Sequence, residues 1–254
     1  FGGWNLWYVA EGGGLDVALF DTQLELVRAD KLALLFGILF HLATFLACIY
    51  AFHLRDRMQQ VTALIYAGGA LGAVFAGDLI TLFIGWEIMA VSSVFLIWAR
   101  RTPRASSAGL RYLIMQISSG LLLLAGALLH ISETGSPAFG AMGLGSLAGI
   151  LIFTAFGIKC AFPLVHSWLT DAYPEATPTG MVFLSAFTTK VAIYGLARSF
   201  AGAEVLIYIG TAMAMFPIFF AVIENDLRRV LAFSLINQVG FMVVGIGIGS
   251  ELAM

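Results

Sequence analysis

The chain has 254 residues, of which 60% are hydrophobic and only 11% charged, with a mean hydropathy of +0.95. Soluble domains carry about 25% charged residues, and a globular core of this size cannot hide so much apolar surface. Lipid is therefore the solvent, which excludes a soluble enzyme, a nucleic-acid-binding domain and a disordered tail; the net charge of −2 implies no acidic partner.

Residues 1–31 are mixed in character. Trp4, Trp7 and Tyr8 suit a membrane interface, and Glu11 followed by three glycines reads as a loop. This stretch is expected to be an extracytoplasmic or interfacial segment. Phe1 stands where Met would start a chain, and Met254 closely follows an apolar run, so the sequence reads as a piece of a longer protein lacking residues at both ends. A helix needs about 20 apolar residues to cross the hydrocarbon. Eight segments qualify: 32–52, 60–77, 79–99, 110–130, 146–162, 177–199, 204–222 and 229–249. Solid apolar runs, not ten-residue alternation, argue against a spanning barrel. The expected fold is thus an all-α, polytopic helix bundle, one transmembrane domain over 32–254. Gly77-Asp78 joins two spans as a tight antiparallel hairpin. The runs Gly68 to Gly72 and Gly120 to Gly126 read as helix contacts.

Basic residues in the connections set the orientation. Arg55, Arg57, Arg100, Arg101, Arg104, Arg111, Arg228 and Arg229 fall on one side; Arg28, Lys31 and Arg198 fall on the other. The first side is expected to be cytoplasmic, in a cell (inner) membrane, with the segment before residue 32 outside.

Three charges remain inside spans: Glu87, Lys159 and Lys190. Insertion scales put such a residue at a helix centre at about 2.5–3.5 kcal/mol. A packing ion pair between Glu87 and one lysine would leave the other amine without a counter-charge, so a polar path of exchanging groups is the better reading. Pro163 lacks an N–H for the carbonyl of Lys159 and its ring clashes there, so the helix should break at the lysine. Irregular backbone at membrane depth is tolerated only against protein or a wet cavity. His166 lies about two turns beyond Lys159, where a neutral imidazole could pass a proton, and Asp171 and Glu175 would form the cytoplasmic entry. Thr177 and Pro178 cap the next helix.

The other polar signals are weaker. Pro217 has no charge nearby and reads as a packing kink. His41, His53 and His130 lack matched partners for a haem, and Cys48 and Cys160 form no metal-type or disulfide pair. No phosphate loop, zinc signature or nucleophile set is legible, so no cofactor, metal or catalytic residue is expected.

Four stretches carry a resemblance: "GDLITLFIGWEIMAVSS" (77–93), "GIKCAFPLVHSWLTDAYPEATPTG" (157–180), "TKVAIYGLAR" (189–198) and "DLRRVLAFSLINQVGF" (226–241). They resemble the proton-translocating antiporter-like subunits of respiratory complex I (NADH–quinone oxidoreductase), Mrp-type Na⁺/H⁺ antiporters and membrane-bound hydrogenases, with wording most similar to the Mrp type. The resemblance implies a fourteen-helix fold with two inverted five-helix repeats, each holding a broken helix. The eight spans would be helices three to ten, the first repeat running from 60 to 199 and the second stopping after its second helix. It implies that Glu87 pairs with Lys159 of the broken helix, that Lys190 continues the hydrophilic axis, and that His166 belongs to the "HxWLPDA" motif, where Thr170 replaces the usual Pro.

The function so implied is proton, or cation/proton, translocation within a multisubunit membrane complex, with no redox site in this chain. Lys159 would exchange a proton with Lys190 along water or through Ser185 and Thr188, biased by movement of Glu87. Partners would be other membrane subunits, the bilayer, H⁺ and, for an antiporter, Na⁺. The alternative is a non-conducting structural subunit of a respiratory or hydrogenase-type complex.

Overall fold

The computed structural model describes residues 15–19 and 22–250; the expected aromatic interface and glycine loop of residues 1–14 lie outside them. The described part begins with an antiparallel hairpin, β1 (Leu15–Leu19) and β2 (Thr22–Val27). Polar and apolar residues alternate over Gln23-Leu-Glu-Leu26, which is the period of a strand with one covered face, and Leu24 is buried. The hairpin is a strand element within a segment read only as interfacial. It docks through backbone bonds, Arg28 N–H to the Phe75 carbonyl (2.7 Å) and Gly77 N–H to the Glu25 carbonyl (3.0 Å). A side chain at Gly77 would overlap the Glu25 carboxyl and push it aside.

Helices make up the rest: α1 (Lys31–Tyr50), α2 (Arg57–Phe75), α3 (Leu79–Trp98), α4 (Pro103–Thr134), α5 (Leu147–Lys159), α6 (Ser167–Ala172), α7 (Pro178–Ser199), α8 (Glu204–Ile223) and α9 (Leu227–Ile248). A 3₁₀ turn, Tyr173–Glu175, joins α6 to the loop before α7. Among the described residues, seven helices are long and apolar enough to span a membrane. The eighth expected span, 146–162, is instead the 13-residue α5, about 20 Å long, and so too short to cross alone. Conversely α4 runs for 32 residues, about 48 Å, well beyond the expected 110–130. Thr102 caps its first turn, accepting from Ala105 N–H, and Pro103 presets the helical φ. Its first two turns carry Arg104, Ser106 and Ser107 and precede the apolar run, which is why hydropathy alone clipped them.

Close packing sets the layers. At Gly85 an added Cβ would lie 2.8 Å from the Ala73 amide, and at Gly240 2.6 Å from the Ala214 amide, so α2–α3 and α8–α9 pack backbone to backbone. Gly68 and Gly72, expected as contacts, face open space. Helices α1 and α8 turn most of their surface outward, with Phe45, Ile49, Phe219 and Val222 exposed, as a lipid-facing surface requires.

Connections gather at two ends. At one, Arg101 pairs with Asp56 (3.4 Å) and Arg100 with Glu175 (3.1 Å). At the hairpin end, Asp30 caps α1 by accepting from Ala33 N–H (2.8 Å) and pairs with Arg198 at the end of α7 (2.6 Å), while Arg28 donates to the Phe139 carbonyl. Partial burial alone would raise the Asp30 carboxyl, but the Ala33 N–H and the Arg198 guanidinium outweigh it and hold the group below its usual range. A lowered folded value contributes stability above the unfolded pKa, and that contribution is lost as pH falls through the folded value. Asp30→Asn keeps the cap and loses the charge pair. Its melting temperature should fall below wild type at neutral pH, and the two curves should converge below about pH 3.9, the ordinary aspartate value.

Candidate functional site

Helix α5 ends on Lys159, and the chain then reverses through Cys160–His166 before α6. Ala161 (φ 62°) and Leu164 (φ 74°) both adopt the left-handed region, an unfavourable state for residues with a Cβ. The reversal is held by Phe162 N–H to the Gly157 carbonyl (2.9 Å) and by the Trp168 indole N–H to the Ile158 carbonyl (2.9 Å). Pro163 has no N–H to offer the Lys159 carbonyl. The lysine is thus the last residue of a short helix, wholly buried at the centre of the bundle.

Its ammonium is held by α3. Lys159 Nζ donates to the Trp86 carbonyl (2.9 Å) and lies 4.1 Å from the centroid of the Trp86 ring, so a backbone dipole and a π face both stabilise positive charge. Trp86 is fixed in turn, its indole N–H donating to Ser119 Oγ (3.1 Å), which donates to the Ala155 carbonyl (2.7 Å). One serine on α4 therefore ties α3 to α5 beside the lysine.

Glu87 does not form the direct ion pair that the resemblance implies. Its carboxylate lies beyond the 4.0 Å limit of a salt bridge to Lys159. Successive helical side chains point about 100° apart, since 3.6 residues make a turn. With Trp86 facing α5, Glu87 faces α4, where its Oε1 rests against Gly120 so closely that any Cβ there would overlap it. That oxygen is buried without a protein hydrogen-bond partner. Gly120 is thus more than a helix contact; it is the recess that the carboxylate occupies.

Lys190 sits on α7, largely buried, with Nζ donating to the Ser185 carbonyl (2.8 Å). The side chains expected to link the two lysines are otherwise engaged. Ser185 Oγ donates back to the Val182 carbonyl (2.9 Å), and the Thr188 hydroxyl bonds to the Tyr66 hydroxyl. Cys160, buried at the reversal after α5, is the titratable side chain facing Lys190 among the described residues.

His166 stands at the start of α6 and packs its ring 4.8 Å, edge-on, from Phe216 of α8; its Nδ1 is buried without a protein partner. It therefore faces α8. Asp171 and Glu175 line a polar cleft of about 470 Å³ with Arg104, Arg111 and Arg229, but neither is a free carboxylate. Arg111 of α4 holds Asp171 (2.6 Å), and Arg100 of the α3–α4 turn holds Glu175 (3.1 Å).

Sequence reasoning missed Gln116. It lies one turn before Gly120 on the same face of α4, is fully inaccessible, and has no protein partner for either amide atom. Counting uncharged amides inside spans, as charges were counted, would have found it. Also missed were Tyr66 of α2, whose hydroxyl bonds to that of Thr188, Tyr173 of the 3₁₀ turn, which donates to the Leu184 carbonyl, and Tyr112 of α4, which bonds to Ser93.

A multi-pass bundle with a short helix ending on a buried lysine, and a second lysine and a carboxylate in neighbouring helices, defines a polytopic membrane protein with ionisable groups in its interior. Residues 76–254 match the family profile described as NADH:quinone oxidoreductase/Mrp antiporter, TM, and the chain belongs to that family. It is 27% identical over 88% of its length to NADH-quinone oxidoreductase subunit M of Escherichia coli (strain K12), covering 50% of that protein. In fold it is similar to a chain of the Mrp complex of Dietzia sp. DQ12-45-1b (TM-score 0.79, 24% identity, 97% of this chain, 51% of that one). It is likewise similar to a chain of the membrane-bound sulfane sulfur reductase, an archaeal respiratory membrane complex (TM-score 0.83, 22% identity, 97% and 56%). The chain spans about half the length of the curated relatives it matches.

Proposed function

We propose that the chain is the membrane-embedded part of an antiporter-like subunit that moves protons across the bilayer within a multisubunit complex. Lys159, Lys190 and Glu87 are the exchanging and biasing groups. The observation that carries this reading is a fully buried amine on the end of a short helix, next to a half-buried carboxylate that is near but not paired, one of whose oxygens is inaccessible. A closed Glu–Lys ion pair would be static. A carboxylate held off by a glycine recess can approach or withdraw, and its field changes steeply with distance at low dielectric. Approach favours the charged lysine; withdrawal releases its proton toward Lys190. Water joining Glu87, Gln116 and Thr189, whose buried polar atoms lack protein partners, would carry the proton between them. His166 then serves a branch toward α8 and α9, which agrees with its contact to Phe216.

The arginine-rich end is cytoplasmic, supported by eight basic residues against three, and the β1–β2 hairpin lies on the outer face. Asp171 and Glu175, half-covered by their arginines, form a cytoplasmic entry that opens when those pairs exchange. Other membrane subunits and lipid cover the outward faces of α1 and α8. Each proton crossing stores or releases about 2.3 kcal/mol per 100 mV.

The test is proton flux from the reconstituted complex carrying Glu87→Gln, which keeps shape and removes charge. Flux should fall about tenfold, equivalent to about 1.4 kcal/mol, with assembly unchanged. Wild-type flux from both Glu87→Gln and Glu87→Ala would overturn the reading and favour a non-conducting structural subunit.

A further inference from the structure

Helix α7 is engaged from outside one turn before Lys190. In an α-helix the Thr188 N–H and the Leu184 carbonyl are partners, and α7 is helical throughout Pro178–Ser199, yet both groups are also engaged by side chains from outside. Here the Thr188 N–H donates to the Tyr66 hydroxyl oxygen (2.9 Å), and the Leu184 carbonyl accepts from the Tyr173 hydroxyl (2.9 Å) and faces that of Tyr66 (3.4 Å). The Thr188 hydroxyl bonds to Tyr66 as well. The next carbonyl along, Ser185, takes the Lys190 ammonium (2.8 Å). Tyr66, Tyr173 and Thr188 are all fully buried, so no water competes for these bonds.

A buried phenol needs an acceptor, and satisfying that need is the plain explanation for one tyrosine. It does not explain two tyrosines from different elements on one carbonyl, with one of them also engaging the amide that carbonyl serves. Side chains inserted into a helical ladder bend the helix at that point. We infer that Tyr66 and Tyr173 are positioning residues for Lys190: their hydroxyls loosen α7 at Leu184–Thr188, which tilts the Ser185 carbonyl out to hold the ammonium in the polar interior. Tyr66 acts from α2 and Tyr173 from the 3₁₀ turn after α6, so a shift of that turn is transmitted to Lys190 without touching it. This inference rests on the reading of Lys190 as a proton-exchanging group.

The experiment uses the full-length subunit in its assembled complex, as wild type, Tyr66→Phe, Tyr173→Phe, the double variant, and Lys190→Ala. Two readouts are taken: hydrogen exchange of the backbone amides across 185–190, and the pH profile of proton flux. Removing both hydroxyls should let the ladder tighten, slowing exchange at Thr188 about tenfold or more. The flux optimum should move by about one pH unit, because Lys190 loses its carbonyl partner. Each single variant should show part of both changes, and reports the same two quantities if the double variant fails to assemble. Unchanged amide exchange overturns the inference, as does a pH profile that stays on the wild-type curve while Lys190→Ala abolishes flux. Wild-type flux from Lys190→Ala overturns the proton-exchange reading, and this inference with it.

Discussion

Lys159→Met should assemble at least as well as the wild type and translocate no protons above background, a loss of at least about 100-fold, or about 2.7 kcal/mol. The two halves of this expectation have opposite signs, which makes the variant informative. Met is an unbranched apolar chain one atom shorter than Lys and removes a charge that insertion scales penalise by about 2.5–3.5 kcal/mol. The Trp86 carbonyl and ring lose a cation but stay packed against an apolar chain, and the Ser119 tie between α3 and α5 is untouched. A scaffold role for Lys159 therefore predicts equal or better function. A proton-exchanging role predicts a well-folded, inert complex. Lys159→Arg separates charge from exchange, because a guanidinium keeps its charge and does not deprotonate in proteins. It should be as inactive as Lys159→Met. Measuring complex yield and membrane-potential-driven flux together in proteoliposomes checks both halves, and robust flux from Lys159→Arg would refute proton exchange at this position.

The bundle was legible because lipid makes hydropathy a strong signal. Once charge in a span costs kilocalories, Glu87, Lys159 and Lys190 stand out without any structure. The chain reversal after Lys159 was legible through Pro163, whose missing N–H is a local covalent fact. The geometry between those residues was not legible. Whether Glu87 touches Lys159 depends on the rotation of α3 that puts Trp86 against α5, and on a glycine 33 positions away in α4. The same holds for Asp171 and Glu175, whose arginine partners come from α4 and the α3–α4 turn. Short apolar helices and buried hydroxyls also escape a hydropathy window. α5 was merged with the reversal behind it, and the tyrosines that reach Leu184 and Thr188 read as ordinary aromatic residues. Alternation in 23–26 was present but lay next to stronger membrane signals.

Gly120 provides the second large effect and the most direct check on the carboxylate's placement. Gly120→Ala adds one methyl where Glu87 Oε1 now sits, so the carboxylate, at the end of a flexible and half-buried side chain, must swing aside from its recess. Proton flux should fall at least about tenfold for Gly120→Ala and to near background for Gly120→Val, the former equivalent to about 1.4 kcal/mol or more. Gly72→Ala, whose methyl meets nothing within 4 Å, should be silent and controls for substitution in a helix of the same bundle. The interaction can be isolated by shortening the acid. Glu87→Asp draws the carboxylate back by about 1.5 Å, one carbon–carbon bond, and on its own should reduce flux by misplacing the charge. Combined with Gly120→Ala it vacates the space that the new methyl needs, so the double variant should be more active than the product of the two single losses. Such non-additivity is expected only of groups in contact. Strictly additive losses would mean that Gly120 acts through helix packing and that the glycine recess does not govern where Glu87 sits.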